Sequence, residues 1–175
     1  MSDTHWTRTT WKDIQLLIRT ARPDDAPILE DLFHNVNPEE LRFRFLTSLS
    51  KVQPEEIRRM THVDHQSAET YIAFTADTRL PVATAMLATD TEGKRGEVAI
   101  SVRSDHRDLG IGRELLAFVA EQAEARGLDV IESIESRANR GALAVERDMA
   151  FTMIDIPGDP SAVLVRKELG GRRTG

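Results

Sequence analysis

The chain has 175 residues, 40% of them hydrophobic and 30% charged, a balance typical of a single globular domain. Its net charge of −6 argues against a generic binder of duplex DNA, because such proteins hold phosphates through a basic face. The absence of cysteine excludes disulfides, thiolate zinc sites and a cysteine acyl-enzyme.

The N-terminal stretch MSDTHWTRTTWKD lacks the basic start and the apolar segment of a secretion signal, and no segment has the composition of a membrane span. We therefore expect a cytoplasmic protein with neither membrane nor nucleic acid as a partner. The predicted organisation is an N-terminal extension at residues 1–15, one domain at 16–169 and a flexible tail at 170–175.

The first predicted elements are a strand and a group of helices. Residues 14–20 form an apolar run typical of a strand, and a helix is predicted from Asp24 to His34. The stretches NPEELRFRF (37–45) and QPEEIRRM (53–60) both begin with a polar residue, a proline and two glutamates, which suit the first turn of a helix. Two short helices are predicted there.

Three antiparallel strands are predicted next, at 70–77, 80–90 and 97–103, with turns between them. The third, EVAISVR, alternates apolar residues with others and so has two distinct faces.

Helices and strands alternate in the rest of the predicted chain. A helix is predicted from Gly112 to Arg126 with Gly127 as its C-terminal cap, followed by a strand at 128–136. Asn139 stands at the N-cap of a helix over 140–149, and a hairpin of 151–156 and 162–169 closes the domain around PGDPS. The order of elements predicts an α/β fold with a mixed sheet and helices on its faces.

The stretch RDLGIG places Gly110 and Gly112 at the start of a helix. Such a turn exposes backbone N–H groups, and the first helical turn favours an anion such as a pyrophosphate, with Arg107 and Arg113 adding positive charge. The alternative is a tight turn that uses glycine only for its backbone freedom.

Two common nucleotide motifs do not fit this turn. A dinucleotide-binding fold would have a third glycine where Leu115 stands. A P-loop would have lysine and then serine or threonine after Gly112, where Arg113 and Glu114 stand.

The sequence from EVAISV through Arg107-x-x-Gly110-x-Gly112 to Asn139 and the helix ending in MAF resembles the acetyl-CoA-binding core of the GNAT superfamily of N-acyltransferases. The stretch at 37–65 further resembles the catalytic domain of Pat-type bacterial protein lysine acetyltransferases. The resemblance covers residues 16–169 and implies a mostly antiparallel central sheet flanked by helices.

The resemblance also implies acetyl-CoA as co-substrate and places its binding groups. The strand backbone at Ile100, Ser101 and Val102 would pair with the pantetheine arm, and the side chain of Asn139 would face the cofactor, although Asn139 is equally well explained as a helix cap. The backbone amides of the turn would hold the pyrophosphate. That turn consists of Arg107, Asp108, Leu109, Gly110, Ile111, Gly112 and Arg113.

Without a cysteine, the simplest chemistry is direct attack of an amine on the thioester in a ternary complex. An acceptor ammonium must first lose its proton, and Glu97, which resembles the general base of Pat-type enzymes, is the candidate acceptor of that proton. The alternative is a solvated glutamate at a strand end.

One departure concerns the general acid. Many superfamily members place a tyrosine seven residues after the asparagine to protonate the leaving thiolate, where this chain has Glu146. The only tyrosine, Tyr71, lies on an earlier strand. The thiolate would then leave without a tyrosine, which a thiol pKa of about 8.5 permits, or with help from water or another group.

Asp108 and Ala150 stand where the superfamily commonly has glycine, and an acidic side chain beside a pyrophosphate is repulsive unless it points away. His62 and His65 lack a visible third ligand, so no metal is expected.

The sequence thus predicts an acetyl-CoA-dependent N-acetyltransferase. An acyl-CoA synthetase or another protein lysine is one candidate acceptor, and a small-molecule amine is another. A non-catalytic acyl-CoA-binding sensor is the alternative class, and an oligomer is compatible with all three.

Overall fold

A computed structural model of the chain describes residues 4–38 and 53–170. The described residues form one eight-stranded sheet with the order β1-β2-β3-β4-β5-β6-β8-β7. The strands are β1 (Trp6–Thr9), β2 (Gln15–Thr20), β3 (Ala68–Thr75), β4 (Pro81–Thr89), β5 (Arg95–Val102), β6 (Val130–Ser136), β7 (Thr152–Ile156) and β8 (Asp159–Glu168). The α-helices are α1 (Ala26–His34), α2 (Pro54–Thr61), α3 (Ile111–Ala125) and α4 (Arg140–Asp148).

Neighbouring strands pair antiparallel throughout the sheet, except that β5 and β6 are parallel. Helix α3 supplies the crossover between these two strands, as a parallel connection requires. The predicted mixed, mostly antiparallel sheet with flanking helices is confirmed.

Each face of the sheet is covered by its own hydrophobic cluster. The larger cluster packs α3 on the sheet through residues such as Leu115 and Phe118, and the smaller one packs α1 and α2 through Phe33 and Ile57. Phe118 also contacts Tyr71 edge to face, with ring centroids 5.1 Å apart, so the only tyrosine is a core residue. The apolar side of α3 is buried, at Leu115, Leu116, Val119 and Ala123.

The first strand is absent from the sequence prediction. Residues 6–9, part of the predicted N-terminal extension, pair with β2, and Trp6 packs on Phe118 while Arg8 forms an ion pair with Glu121 of α3. Four residues of mixed polarity are too few to show the alternation typical of a strand. This strand is stabilised by contacts with residues distant in sequence, which a local pattern does not reveal.

Smaller differences occur at the boundaries. A 3₁₀ turn at Pro23–Asp25 precedes α1, and β8 begins at Asp159 after the turn at 157–158, earlier than predicted. The predicted helix at 53–60 is α2, whereas the one predicted at 37–45 and most of the tail lie outside the described residues. Within the described ranges, no helix combines the length and the apolar composition needed to cross a bilayer.

Candidate active site

Strands β5 and β6 separate soon after they meet. They pair only at Arg95–Glu97 of β5 and Val130–Glu132 of β6, after which β6 remains paired with β8 alone and β5 with β4 alone. We call the opening between residues 98–102 and 133–136 the cleft. Its narrow end lies at Glu97, and the strand from there to Val102 covers roughly 16 Å at about 3.3 Å per residue.

The backbone of β5 faces the cleft at alternate residues. Arg103 N–H donates to the Val82 carbonyl at 2.8 Å, and Asp90 N–H donates to the Arg95 carbonyl at 2.9 Å, so the odd-numbered residues direct their hydrogen-bonding groups toward β4. The even-numbered residues direct theirs toward the cleft. These residues are Val98, Ile100 and Val102.

This alternation refines the predicted contacts of the strand. Ile100 and Val102 present backbone groups to the cleft as expected, whereas Ser101 directs its backbone to β4 and its side chain is buried. Val98 lies on the same side and was missing from the predicted set, but its N–H is used by the ladder with Glu132, so only its carbonyl is left to face the cleft. The register with β4 decides whether odd or even residues of β5 direct their backbone groups to the cleft. The sequence of β5 alone does not reveal this register.

The loop from 107 to 113 connects β5 to α3 and lies beyond the wide end of the cleft. Asp108 and Gly110 have φ angles of +60° and +82°, which fold the chain so that Gly110 caps α3. No backbone amide of residues 108–113 donates a hydrogen bond to another described residue. Successive free amides at a helix N-terminus form a site suited to an anion.

The side chains of the loop differ in what they contribute. Ile111 is buried and Leu109 packs on the core, so these residues anchor the loop. Arg113 Nη1 lies 3.7 Å from Asp148 Oδ2, which links the start of α3 to the end of α4. Arg107 and Asp108 are both exposed.

Asn139 acts as the N-cap of α4. Its Oδ1 accepts a hydrogen bond from Ala142 N–H at 3.3 Å, which satisfies one of the free donors of the first helical turn. The capping interpretation of Asn139 is therefore correct. The cap uses one lone pair of this oxygen, so the amide nitrogen keeps its two donors and the oxygen keeps one acceptor position for a ligand.

Glu97 lies at the narrow end of the cleft with an exposed side chain. Directly opposite in the parallel register stands Glu132, whose carboxylate accepts from Arg166 Nε at 2.7 Å and lies 3.5 Å from Arg95 Nε. The side chain of Glu97 makes no hydrogen bond or ion pair with the described part of the chain. Of these two carboxylates, Glu97 is the one free to accept a proton.

In the sequence, Glu146 was notable only because it stands where the family commonly has a tyrosine. The structure adds the surroundings of its side chain. Its side chain is buried, its Oε2 has no hydrogen-bond partner, and its carboxyl hydrogen-bonds to the side chain of Glu135 of β6. Burial and the nearby Glu135 carboxylate raise the pKa of Glu146 to about 9. The sequence signal for this site was a charged residue on the inward side of an amphipathic helix.

The described residues contain no group of three or more side chains suited to a metal ion. His62 Nδ1 lies 3.0 Å from Thr61 Oγ1, and His65 Nδ1 lies 2.8 Å from Glu69 Oε1, so the two histidines have different partners.

Known proteins share this architecture. The sequence model of the Acetyltransferase (GNAT) family matches residues 31–151. Acetyltransferase PA5475 of Pseudomonas aeruginosa is 24% identical over 167 residues, which cover 94% of this chain and 90% of that protein. The crystal structure of the GNAT domain of S. lividans PAT superposes with a TM-score of 0.84 at 21% identity, covering 94% of this chain and 97% of that one.

A further match is the ribosomal protein acetyltransferase RimL in complex with coenzyme A, with a TM-score of 0.67, 18% identity and coverage of 93% of this chain and 96% of that one. The family match spans more than half of the sequence, and the chain therefore belongs to the GNAT acetyltransferase family. The resemblance to this family and to Pat-type catalytic domains is confirmed.

Proposed function

We propose that this GNAT family member transfers an acetyl group from acetyl-CoA directly to a primary amine, with a protein lysine as the first candidate acceptor. The observation that carries the proposal is the continuity of the site. Free amides at 108–113 lie beyond one end of the cleft, the unpaired backbone edge of β5 runs along it, and Glu97 stands at the other end.

Each part of acetyl-CoA then has a partner in the chain. The loop amides and the positive end of the α3 dipole would bind the diphosphate. The arm would pair with the backbone of Ile100 and Val102 as an added strand does. Acetyl-CoA bound along β5 in this way would have its thioester next to Glu97.

Glu97 would remove the proton that keeps the acceptor unreactive. A lysine ammonium has a pKa of about 10.4, so at neutral pH it needs a base before it attacks. Holding amine and thioester together supplies much of the remaining rate enhancement.

The acceptor is proposed from the likeness to Pat-type domains, which extends over 94% of this chain at a TM-score of 0.84. By the same likeness, a lysine of an acyl-CoA synthetase is the protein substrate to test first. A small-molecule amine is the competing acceptor, and both belong in the assay.

The first experiment tests the cofactor site by calorimetric titration with acetyl-CoA. A Cβ on Gly112 would lie 3.7 Å from Val102 Cγ2, an ordinary contact, so Gly112→Leu adds its bulk beside Val102 at the wide end of the cleft, and its melting temperature reports whether the fold is kept. Gly141 on α4 has no atom within 4 Å of its Cβ position, and Gly141→Leu is the matched control. We expect affinity to fall at least tenfold in the first variant and to stay within twofold in the second. Equal affinity in both would reject the site.

The second experiment measures CoA release with an acyl-CoA synthetase and a panel of small amines. Turnover that falls more than 100-fold in Glu97→Gln, with unchanged affinity for acetyl-CoA, supports Glu97 as the base. Affinity without turnover on any acceptor would instead identify an acyl-CoA sensor.

A further inference from the structure

The cleft has a second pair of acidic groups, on its β6 side. Ile131 is buried under α3 and α4, and the alternation of a strand places the side chains of residues 131, 133 and 135 on that same face. Glu135 lies three residues beyond Glu132, the last residue of β6 paired with β5. Its side chain therefore stands beside the cleft, on the face opposite to Glu97.

Helix α4 brings Glu146 to Glu135. The side chain of Glu146 is only 5% exposed, while that of Glu135 is half-buried. Helix α4 packs on the large hydrophobic cluster through Leu143, and Met149 at its C-cap packs there too. A buried carboxyl is thus held against a second carboxyl that reaches the border of the cleft.

Two carboxyl groups in a hydrogen bond must share a proton, because a deprotonated carboxylate has no hydrogen to donate. Loss of that proton would leave two negative charges in contact with one of them desolvated, which is strongly unfavourable. Glu146 Oε2 has no partner at all, so a carboxylate there would be poorly stabilised. The pair keeps its proton at neutral pH.

The carboxyl of Glu146 hydrogen-bonds to Glu135, whose charge also acts on it. Three cations of α3, α4 and β8 contact other groups. Arg147 Nη2 is directed to Met153 Sδ at 3.5 Å, Lys167 Nζ lies 5.8 Å from the centre of the Phe151 ring, and Arg113 Nη1 lies 3.7 Å from Asp148 Oδ2.

We infer that the Glu135–Glu146 pair is the proton donor for the departing thiolate, with Glu146 holding the proton and Glu135 passing it to the cleft. This inference rests on the proposed function. The amine nitrogen forms a bond to the acetyl carbon, the C–S bond breaks, and its electron pair goes to sulfur. Sulfur then takes the proton of the pair to give CoA–SH. The acceptor nitrogen gives up two protons through Glu97 to solvent, one from the ammonium before attack and one from the adduct after it. Water restores the proton of the pair.

The energetics of this transfer are well matched. A thiol has a pKa of about 8.5, close to that of the buried carboxyl, so the proton moves with little cost in either direction.

The test compares wild type with Glu146→Gln and Glu135→Gln. An amide at position 146 has nearly the same shape and can still donate to Glu135, but it has no transferable proton. In the wild type, kcat should fall above about pH 9 as the pair ionises. In Glu146→Gln we expect kcat to be about 100-fold lower, the alkaline fall to be absent, and the affinity for acetyl-CoA to stay within twofold.

A merely structural role would lower affinity or thermal stability and leave the alkaline fall in place. Retention of kcat within twofold, or of the alkaline fall, in Glu146→Gln would overturn the inference.

A second readout does not depend on turnover. In protein labelled with ¹³C at the glutamate carboxyls, one carboxyl resonance that is lost in Glu146→Gln should titrate well above pH 7. If every glutamate titrates below pH 6, the pair holds no proton and the inference is wrong. Absence of wild-type turnover with a normal high-pH titration would reject the proposed function alone.

Discussion

Trp11 lies directly against Gly110 of the loop. A Cβ built on Gly110 would stand 2.5 Å from Trp11 Cδ1, although the Trp11 side chain is 70% exposed. The β1–β2 turn therefore braces the loop whose amides are proposed to bind the diphosphate.

This contact predicts that Gly110→Ala is destabilising by roughly 2 kcal/mol, because alanine is strained at positive φ and its Cβ meets the indole. Gly112→Ala should be neutral or slightly stabilising, since its Cβ has room and alanine favours a helix. Urea unfolding measures both. A Trp11→Ala/Gly110→Ala double variant should lose less than the two single variants added together, and strict additivity would exclude the contact.

The same contact makes Trp11 a reporter of the cofactor. The chain has two tryptophans, and Trp6 packs against Tyr71 and Phe118. In Trp6→Phe, the fluorescence of Trp11 should change on addition of acetyl-CoA with the calorimetric Kd. Trp11→Phe, which keeps Trp6, is the matched control and should show little response. An equal response of the two variants would mean that the signal does not come from the loop.

The C-terminal ends of α3 and α4 have the same hydrogen-bond pattern but different residues in the left-handed position. Leu128 N–H bonds to Ala123 O around Gly127, and Phe151 N–H bonds to Glu146 O around Ala150. The φ angles are +80° and +68°.

Because alanine is strained in this conformation, Ala150→Gly should stabilise the fold by about 1 kcal/mol and Gly127→Ala should destabilise it by a similar amount. Melting temperatures measured side by side should move in opposite directions. A lower melting temperature for Ala150→Gly would contradict the assigned backbone.

Asp108 places a negative charge within the row of free amides. Asn is the matched substitution, because it tolerates the positive φ of this residue and has no charge. Asp108→Asn should bind acetyl-CoA a few-fold more tightly, with the gain decreasing at high salt. Asp77→Asn, in the β3–β4 turn, should leave the Kd unchanged. Weaker binding of Asp108→Asn would show that the carboxylate has a positive role in the site.

The raised pKa of Glu146 also predicts a dependence of stability on pH. The folded state binds a proton that the unfolded state releases near pH 4.5, so the stabilisation is complete below that value and is lost as pH rises toward about 9. Between pH 6 and 9, wild type should lose stability relative to Glu146→Gln by at least about 1 kcal/mol, since one pKa unit corresponds to about 1.4 kcal/mol. Parallel denaturation curves across this range would contradict the proton assignment.

The sequence was sufficient where local patterns decide the structure. Alternation in EVAISVR, the glycines at 110 and 112, and the cap at Asn139 each depend on a few neighbouring residues, and the fold and its family follow from them. Strand β1 was missed because contacts with α3 hold it in place. The direction of the Ser101 backbone groups and the burial of Glu146 depend on which strand or helix lies opposite each residue. Such tertiary contacts are not visible in the local sequence.

The early separation of β5 from β6 leaves two sub-sheets, β1–β5 and β6–β8, joined by a short ladder of three residue pairs. A ligand arm that lay in the cleft would hydrogen-bond as a surrogate strand and close this seam. Supply of the acyl donor would then regulate the cohesion of the whole molecule: amide hydrogen exchange at Ile100 and Val102 would slow, and the two sub-sheets would unfold as a single cooperative unit.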